Sequence, residues 1–327
     1  MEDWALKYRP QRLTELIGQE VNAEILSTLV KQNTLFNSMI FYGRSGCGKT
    51  TTARILVNEL NAEVVELDAA SNSGVDDARN IKDIASKLAL TGKKKIIIID
   101  EAHMLSKAAW NAMLKIIEEP NDKTHFIFCT TEYGAIPTTI KGRSQMFKFY
   151  SIPTEVQKEY VKGILLNEKA ELDDRLIDFI IKESKGQMRD LLKNLQKAVE
   201  TKIKTVEQMS KSLGIPDIKG MGSYLKAILS NDMKTAIRAL KDISNNTDSL
   251  VSWKTRLEDL IYEILEDYYG ITSLPYSLQQ AQKLKELAAE YKPQVFGKVL
   301  DYLLKIYKDD NAFQVLYVLA VLGVDGC

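Results

Sequence analysis

The sequence GRSGCGKT at residues 43–50 satisfies the pattern G-x-x-x-x-G-K-[ST], which is typical of phosphate-binding loops. An apolar run at residues 39–42 precedes it, and residues 51–61 carry apolar side chains at helical spacing. In such a strand, loop and helix, the loop N–H groups and the helix dipole attract an anion together. The stretch therefore predicts an α/β fold with a phosphate-binding loop; a glycine-rich turn without a ligand is the alternative.

Within the loop, Lys49 is expected to contact the outer phosphates of a nucleotide, and the Thr50 hydroxyl is expected to hold Mg²⁺. Small residues allow consecutive backbone N–H groups to point toward the phosphates. The residues expected around the phosphates are Gly43, Arg44, Ser45, Gly46, Cys47, Gly48, Lys49, Thr50 and Thr51.

A second motif begins with four isoleucines at residues 96–99 and continues into Asp100 and Glu101. An apolar run bounded by charges is typical of a strand buried on both faces of a parallel sheet, and ligands bind at the C-terminal ends of such strands. We therefore predict that Asp100 holds Mg²⁺, directly or through water, and that Glu101 polarises a water for attack on the γ-phosphate. A helix N-terminus is the alternative, but the upstream loop favours a nucleoside triphosphatase.

The composition excludes several classes of protein. With 44 basic and 44 acidic residues among 327, the chain has no net charge, so any surface for nucleic acid must be local. Three scattered cysteines, Cys47, Cys129 and Cys327, are too few for a disulfide framework or a zinc site. Residues 1–10 are charged, and no apolar run approaches the roughly 20 residues of a membrane span. These features predict a soluble cytoplasmic protein with reduced thiols.

The order of the elements predicts three domains. Residues 1–152 alternate between strand and helix patterns, which predicts a parallel sheet with helices on both faces. Residues 153–213 and residues 220–327 carry only helical patterns, and we expect the last region to hold subunits together. The predicted strands are residues 39–42, 62–67, 96–99, 125–130 and 147–150. The predicted helices are residues 19–32, 51–61, 75–90, 107–118, 154–171, 173–185, 187–201, 206–213, 224–229, 233–243, 250–268, 277–291, 293–307 and 311–322.

Blocks of sequence in a fixed order resemble the bacterial DNA polymerase III gamma/tau family, which supplies the ATPase subunits of clamp loaders within the AAA+ superfamily. The blocks are Tyr8-Arg9-Pro10, GRSGCGKT, LDAASNSGVDDARNI, IIIIDEAHMLSKAAWNAMLKIIEEP, FCTTE and IPTTIKGRSQMF. Replication factor C is a more distant relative. The resemblance is densest over residues 4–150, and beyond residue 220 it is only a helical pattern. It implies an AAA+ ATPase domain, then an all-α lid and an all-α collar, with ATP and Mg²⁺ as cofactors.

The resemblance also implies roles for residues outside the two motifs. Thr131 corresponds to the polar sensor beside the Asp100 strand, where it would orient the attacking water; a threonine that merely ends a strand is the alternative. Arg189 corresponds to the second sensor, an arginine of the lid that reaches the nucleotide. The segment that surrounds the adenine and ribose corresponds to Tyr8, Arg9, Pro10, Ile17 and Gly18.

Arg143 resembles the finger arginine, which enters the ATP site of a neighbouring subunit. The family pattern is Ser-Arg-Cys, whereas this chain has Gly142-Arg143-Ser144, so the arginine is kept and both neighbours differ. We expect the finger role to persist, because a guanidinium supplies both the charge and the fork geometry. An exposed loop arginine is the alternative.

Two parts of the family pattern do not occur in this sequence. The family carries a four-cysteine zinc module after the phosphate-loop helix, whereas residues 60–63 run directly into a strand without a cysteine, so we expect no zinc. We also expect the long C-terminal extension of the tau form to be absent. A chain of this kind suits a phage-encoded loader or a divergent bacterial paralogue.

The expected contacts with DNA rest on three basic residues. Lys107, at a predicted helix N-terminus, and Arg79 and Lys82, on the predicted helix after Gly74, correspond to the inner face of the loader. A phosphate at Lys107 would meet both its charge and the helix dipole. Solvated charges on helix surfaces are the alternative for all three.

The first functional prediction is the ATPase motor subunit of a sliding-clamp loader. ATP binding would open the clamp and grip primer–template DNA, and hydrolysis would release the closed clamp. The expected partners are the sliding clamp, primer–template DNA and other loader subunits in a ring or spiral of about five, with no membrane. The alternatives are an AAA+ recombination or branch-migration motor and a non-catalytic clamp-loader subunit. The clamp's identity and the number of subunits stay open.

Overall fold

A computed structural model describes residues 2–71, 93–119, 123–215, 218–246, 250–271, 278–305 and 316. Several predictions lie outside these residues: the helix at 75–90 with Arg79 and Lys82, and the helix at 311–322 apart from Leu316.

Five parallel strands form one sheet in the described part of the chain. They are β1 (Ser38–Tyr42), β2 (Glu63–Asp68), β3 (Lys95–Asp100), β4 (Thr124–Thr130) and β5 (Gln145–Lys148). Their order across the sheet is β2-β3-β4-β1-β5. The register pairs Asp68 with Asp100, Ile99 with Phe128, and Tyr42 with Thr130. The C-terminal ends of β1, β2, β3 and β4 therefore lie along one edge, where the functional side chains were predicted.

The α-helices alternate with these strands at first and then follow one another. Those around the sheet are α1 (Trp4–Lys7), α2 (Glu20–Lys31), α3 (Lys49–Glu59), α4 (Lys107–Glu118) and α5 (Thr138–Lys141). Those that follow are α6 (Thr154–Asn167), α7 (Asp174–Glu183), α8 (Met188–Glu200), α9 (Val206–Ser212), α10 (Ile218–Leu229), α11 (Met233–Asn246), α12 (Leu250–Tyr268), α13 (Leu278–Glu290) and α14 (Pro293–Lys305). Short 3₁₀-helices occur at Leu13–Glu15, Ala102–Met104 and Tyr133–Ala135.

The isoleucines of β3 divide their side chains between two cores, and all four are fully buried. Ile96 and Ile98 pack in a cluster that includes Leu26 of α2 and Leu56 of α3. Ile97 and Ile99 pack on the other face of the sheet, in a cluster that includes Trp110 of α4. Alternate residues of a strand point to opposite faces, so an unbroken apolar run is what helices on both faces require. The predicted fold class, a parallel sheet with helices on both faces followed by helical regions, is confirmed.

The edge strand β5 differs from its prediction: it spans Gln145–Lys148, not residues 147–150. The reason is backbone pairing, because β1 aligns Met39 with Gln145 and Tyr42 with Lys148. Only Phe147 of this strand is buried, as expected where one row of side chains faces solvent. Hydrophobicity therefore indicated that a strand is present but not its first and last residues.

The chain divides into two compact units: Met1–Lys169 with Ile180–Lys197, and Ala170–Phe179 with Ala198–Cys327. The three domains inferred from the sequence stay a prediction. The core of the second unit includes Tyr224 of α10, whose ring meets that of Trp253 of α12 edge-on at 5.3 Å. Tyr224 also donates a hydrogen bond to the Leu316 carbonyl at 2.6 Å. Large buried aromatic side chains contribute much of the stability of such a core.

Candidate functional site

The loop at residues 43–50 joins β1 to α3 as the sequence predicted. Gly48 is the N-cap of α3 and has a φ of 100°. Gly46 has a φ of 71°, and a Cβ at this position would lie 2.7 Å from the Gln187 Cα. The Gly46 carbonyl also accepts a hydrogen bond from the Met188 N–H at 3.3 Å. The first residues of α8 therefore lie directly against the loop, at a distance that only glycine allows.

Lys49, the first residue of α3, lies across the inside of the loop. Its Nζ donates hydrogen bonds to the carbonyls of Gly43 at 3.0 Å and Arg44 at 2.8 Å. The side chain is buried, and a buried ammonium requires such partners. These contacts hold the charge beside the loop N–H groups and the N-terminus of α3, where an anion is favoured.

Thr50 and Asp100 meet at the C-terminal edge of the sheet. The Thr50 Oγ1 donates a hydrogen bond to the Asp100 Oδ2 at 2.9 Å. A hydroxyl and a carboxylate are oxygen ligands of the kind that Mg²⁺ prefers. The two residues lie 50 positions apart in the sequence, and the fold brings these two predicted Mg²⁺ ligands together.

Glu101 follows Asp100 and has an unusual backbone conformation, with a φ of 47°. Left-handed conformations of non-glycine residues are uncommon and are concentrated at functional sites. Thr131, just after β4, donates a hydrogen bond from its Oγ1 to the Glu101 Oε2 at 3.4 Å. The structure thus joins the carboxylate and the predicted sensor threonine across two neighbouring strands.

A cavity of about 260 Å³ lies next to the loop. It brings together most of the residues that the sequence predicted for nucleotide, metal and water. The predicted residues that line it are Tyr8, Arg9, Pro10, Ile17, Ser45, Gly46, Cys47, Gly48, Lys49, Thr50, Thr51, Asp100, Glu101 and Arg189. Other predicted residues are not among those that line it: Gly18, Gly43, Arg44, Lys107, Thr131 and Arg143.

The N-terminal segment forms one wall of the cavity and is held by α6 and α8. The Tyr8 hydroxyl donates a hydrogen bond to the Glu168 Oε1, and the Tyr160 hydroxyl donates one to the Tyr8 carbonyl at 2.8 Å. The Trp4 N–H donates to the Gln196 Oε1 at 2.9 Å. Burial raises the pKa of Tyr8, and the bond to Glu168 raises it further, so the phenol stays protonated near neutral pH.

Two arginines, Arg9 and Arg189, line the cavity and bring positive charge to it. Burial lowers the pKa of the Arg9 guanidinium, and the charges of Arg54 and Arg189 lower it further. Arg54 is paired with Glu66, to which its Nε donates a hydrogen bond at 2.9 Å. An anion in the cavity would relieve the repulsion between Arg9 and Arg189, so the charges fit a nucleoside triphosphate.

Cys47 is buried inside the loop, and its Sγ donates a hydrogen bond to the Arg44 carbonyl at 2.9 Å. Burial raises the pKa of its thiol, although the nearby charge of Lys49 opposes this. The neutral thiol is therefore the form expected at neutral pH, and this cysteine acts as a small buried side chain of the loop.

Arg143 and Lys107 lie on the surface. Arg143 follows α5, and its Nη2 is 2.7 Å from the Glu118 Oε1 while its Nη1 donates to the Thr139 carbonyl at 2.9 Å. Lys107 is the exposed first residue of α4. The roles of these residues, like those of the other predicted site residues, stay predictions. Arg79 and Lys82 lie outside the described residues.

Sequence reasoning missed several residues that line the cavity: Ala5, Leu16, Gln19, Ile152, Tyr160, Gln187, Met188, Asp190 and Leu192. Gln19 illustrates why. Its buried side-chain amide donates to the Tyr150 carbonyl at 2.7 Å and accepts from the Tyr150 N–H at 3.2 Å. Gln19 and Tyr150 lie 131 positions apart, so no local pattern in the sequence indicates this contact.

Comparison with proteins of known sequence identifies relatives along most of the chain. A family model described as DNA polymerase III, delta subunit, matches residues 62–153. The DNA polymerase III subunit gamma/tau of Mycoplasma genitalium is 32% identical over 267 residues, which are 73% of this chain and 45% of that protein. The DNA polymerase III subunit gamma of Buchnera aphidicola is 30% identical over 298 residues, 82% of this chain and 80% of that protein. The chain spans about half the length of the gamma/tau relatives.

Solved structures show the same fold at lower sequence identity. The Holliday junction branch migration motor RuvB of Thermotoga maritima superimposes with a TM-score of 0.54 and 22% identity, over 68% of this chain and 79% of that one. A mutant of that protein covers 91% of both chains with a TM-score of 0.51 and 18% identity. At this level of identity the likeness concerns the fold alone. Among the described helices, none has the length and apolar character needed to cross a membrane.

Proposed function

Because the chain belongs to the DNA polymerase III gamma/tau family, we propose that it is an ATP-hydrolysing subunit of a sliding-clamp loader. One observation carries the proposal. Lys49, Thr50, Asp100, Glu101 and Arg189 line a single cavity beside the phosphate-binding loop. They combine two cationic side chains, an oxygen donor set for Mg²⁺ and a carboxylate next to it, as phosphoryl transfer requires.

The first step that these residues support is the binding of ATP. The loop N–H groups and Lys49 would hold the phosphates, and Arg189 and Arg9, which also line the cavity, would add positive charge. The N-terminal segment with Tyr8, Pro10 and Ile17 would contact the adenine and ribose. Thr50 and Asp100 would hold Mg²⁺, which when bound neutralises charge on the phosphate oxygens.

The second step is the activation of water. Glu101 would accept a proton from the attacking water, and Thr131 would restrain the carboxylate through its hydrogen bond to Oε2. Positive charge from a neighbouring subunit, supplied by Arg143, would complete the site. Hydrolysis would then depend on correct assembly, as a loader needs if it is to act only when clamp and DNA are in place.

The assembly that we propose contains the sliding clamp, primer–template DNA and other loader subunits in the cytoplasm of a bacterial or phage-infected cell. ATP binding would favour the open clamp and its grip on DNA, and hydrolysis would release the closed clamp. Lys107 would contact the DNA backbone, because an exposed lysine at a helix N-terminus combines two sources of positive charge. The second unit, with its helices α10–α14, would hold subunits together.

The test is ATP turnover by the whole chain, alone and with the cognate clamp and primed DNA. We expect slow basal turnover that the clamp and primed DNA together raise at least about tenfold, because assembly adds the finger arginine. Primed and unprimed DNA of equal length provide the matched control. Stimulation by branched DNA without the clamp would instead indicate a branch-migration motor. Absence of turnover under all conditions would indicate a non-catalytic subunit.

A further inference from the structure

His103 contacts the carboxylate that we assign to water activation, although neither motif gave it a role. Its Nδ1 lies 3.5 Å from the Glu101 Oε2, the oxygen that also accepts the hydrogen bond from Thr131. His103 belongs to the 3₁₀-helix Ala102–Met104, which starts directly after Glu101. The carboxylate is therefore contacted from two sides, by its own turn and by the end of β4.

The position of the His103 ring is fixed by the end of β4. The Thr130 Oγ1 lies 3.2 Å from the His103 Nδ1 and also accepts a hydrogen bond from the Glu132 N–H at 3.0 Å. The Nε2 on the other side of the ring is 3.9 Å from the Glu132 Oε1. Thr130 is fully buried, and the His103 side chain is only 13% exposed. A ring packed in this way has little freedom to turn.

The surroundings of Nδ1 indicate which ring nitrogen carries a proton. An ionised carboxylate can only accept hydrogen bonds, so a lone pair on Nδ1 would face the negative Oε2. A protonated Nδ1 can instead donate toward the Glu101 carboxylate and the Thr130 hydroxyl. The form with a proton on Nδ1 is therefore the one that this geometry favours.

We propose that His103 is a positioning residue, which holds the Glu101 carboxylate in its working orientation through the Nδ1–H. This inference rests on the proposed ATPase function, since it concerns how Glu101 meets water. Two donors, His103 and Thr131, act on the same oxygen, Oε2, and leave Oε1 for the water. A carboxylate that is free to rotate would place its proton-accepting oxygen correctly for a smaller fraction of the time.

The first test separates positioning from nucleotide binding. We expect His103→Ala to lower kcat about 10- to 100-fold while the Kd for ATP changes less than about twofold, because Glu101 does not hold the phosphates. His103→Asn should restore part of kcat, because its amide nitrogen can occupy the place of Nδ1. His103→Gln is the matched control, since its longer side chain carries the amide toward the place of Nε2. If His103→Ala does not fold, the comparison of Asn with Gln carries the same test.

The second test does not depend on turnover. The chain has only two histidines, His103 and His125, so both rings can be assigned in a nitrogen-15 NMR spectrum. Glu101→Gln should shift the Nδ1 resonance of His103 and leave His125 unchanged, because the His125 Nδ1 faces the Phe36 carbonyl at 3.2 Å. An unchanged His103 resonance would overturn the inference.

A double-mutant cycle decides whether His103 acts through Glu101. Under single-turnover conditions, His103→Ala should cause no further loss of rate in a Glu101→Gln background. Losses that simply multiply would overturn the positioning role. Turnover that His103→Ala leaves unchanged would overturn this inference alone, whereas a wild-type chain that hydrolyses no ATP would overturn the proposed function itself.

Discussion

At the scale of single residues, Lys49 and Glu101 line the same cavity, and the different roles that we propose for them can be measured separately. Lys49 carries a buried positive charge next to the loop, where it would meet phosphates both before and during the reaction. Glu101 is a carboxyl group, which would not attract phosphates, and its proposed partner is the attacking water. Under the proposed roles, Lys49 would serve mainly ground-state binding and Glu101 mainly transition-state stabilisation.

Replacing each residue should therefore change a different kinetic constant. We expect Lys49→Ala to abolish measurable ATP binding, whereas Glu101→Gln should preserve ATP affinity and lower turnover by about 10²- to 10⁴-fold, the usual contribution of a general base. Equilibrium binding of a fluorescent ATP analogue and steady-state turnover measure the two effects. An equal loss of nucleotide affinity in both variants would contradict these roles.

Some of the residue contacts follow from the sequence and others do not. The contact between Thr50 and Asp100 could be predicted, because α3 starts and β3 ends at the same edge of a parallel sheet. The contact between Tyr8 and Glu168 could not be predicted from spacing, since it joins residues 160 positions apart. A contact between distant residues can be predicted from sequence only when both residues lie where secondary-structure elements meet at a known edge of the sheet.

At the scale of elements, Gly46 joins the phosphate loop to the start of α8. A Cβ there would lie 2.7 Å from the Gln187 Cα and 2.8 Å from its Cβ, and the φ of 71° is unfavourable for other residues. Moving the loop away from the helix would also break a hydrogen bond, because the Met188 N–H donates to the Gly46 carbonyl. The loop conformation therefore depends on an element more than 130 residues away in the chain.

We predict that Gly46→Ala lowers the free energy of unfolding by about 1–3 kcal/mol, the usual cost of overpacking, and also weakens ATP binding. Gly163→Ala is the matched control. Gly163 lies inside α6 with nothing within 4 Å of its Cβ position, so alanine there should stabilise the chain by about 0.5–1 kcal/mol. Urea denaturation followed by tryptophan fluorescence measures both. A Gly46→Ala variant as stable as the wild type, with the same ATP affinity, would show that the loop can move away from α8.

Element boundaries could be predicted best where side chains cap or end an element. Helix α4 spans Lys107–Glu118, the same residues as predicted, because the Ser106 Oγ accepts a hydrogen bond from the Ala109 N–H and Pro120 follows its end. Helix α3 begins at Lys49, two residues earlier than predicted, since Gly48 turns the chain directly into the helix. Where no such signal occurs, as in β5, pairing with a neighbouring strand decides the first and last residues of the element.

At the scale of the whole molecule, the finger role that the family resemblance implies for Arg143 agrees with its place outside the cavity of its own chain. Arg143 is not among the residues that line the site of its own chain, and its side chain is 42% exposed. Arg143 forms an ion pair with Glu118, whose side chain is 46% exposed. Exposed ion pairs of this kind contribute only about 0–1 kcal/mol to stability. Giving up this pair to reach a neighbouring subunit would therefore cost little.

Arg143→Ala should leave the ATP affinity of the isolated subunit nearly unchanged and suppress turnover in the presence of clamp and DNA. The expected loss is about a thousandfold, since charge spreads over the γ-phosphate oxygens in the transition state and Lys49 with Mg²⁺ covers only one side. Lys141→Ala is the matched control, because it removes a positive charge two residues away that packs over the Tyr133 ring at 4.3 Å. Equal losses in both variants would indicate a general effect of surface charge.

Mixed assemblies then distinguish a finger that acts between subunits from one that acts within a subunit. An Arg143→Ala subunit still binds ATP but lends no finger, and a Lys49→Ala subunit binds no ATP but still lends its Arg143. Where a Lys49→Ala subunit lies next to an Arg143→Ala subunit, the two chains together form one complete site. The mixture should therefore regain part of the turnover that each variant lacks alone. The mixed composition must be verified by native mass spectrometry. Recovery requires Arg143 to act across an interface, because no subunit in the mixture contains both residues; verified mixtures without recovery would place its action within the same chain.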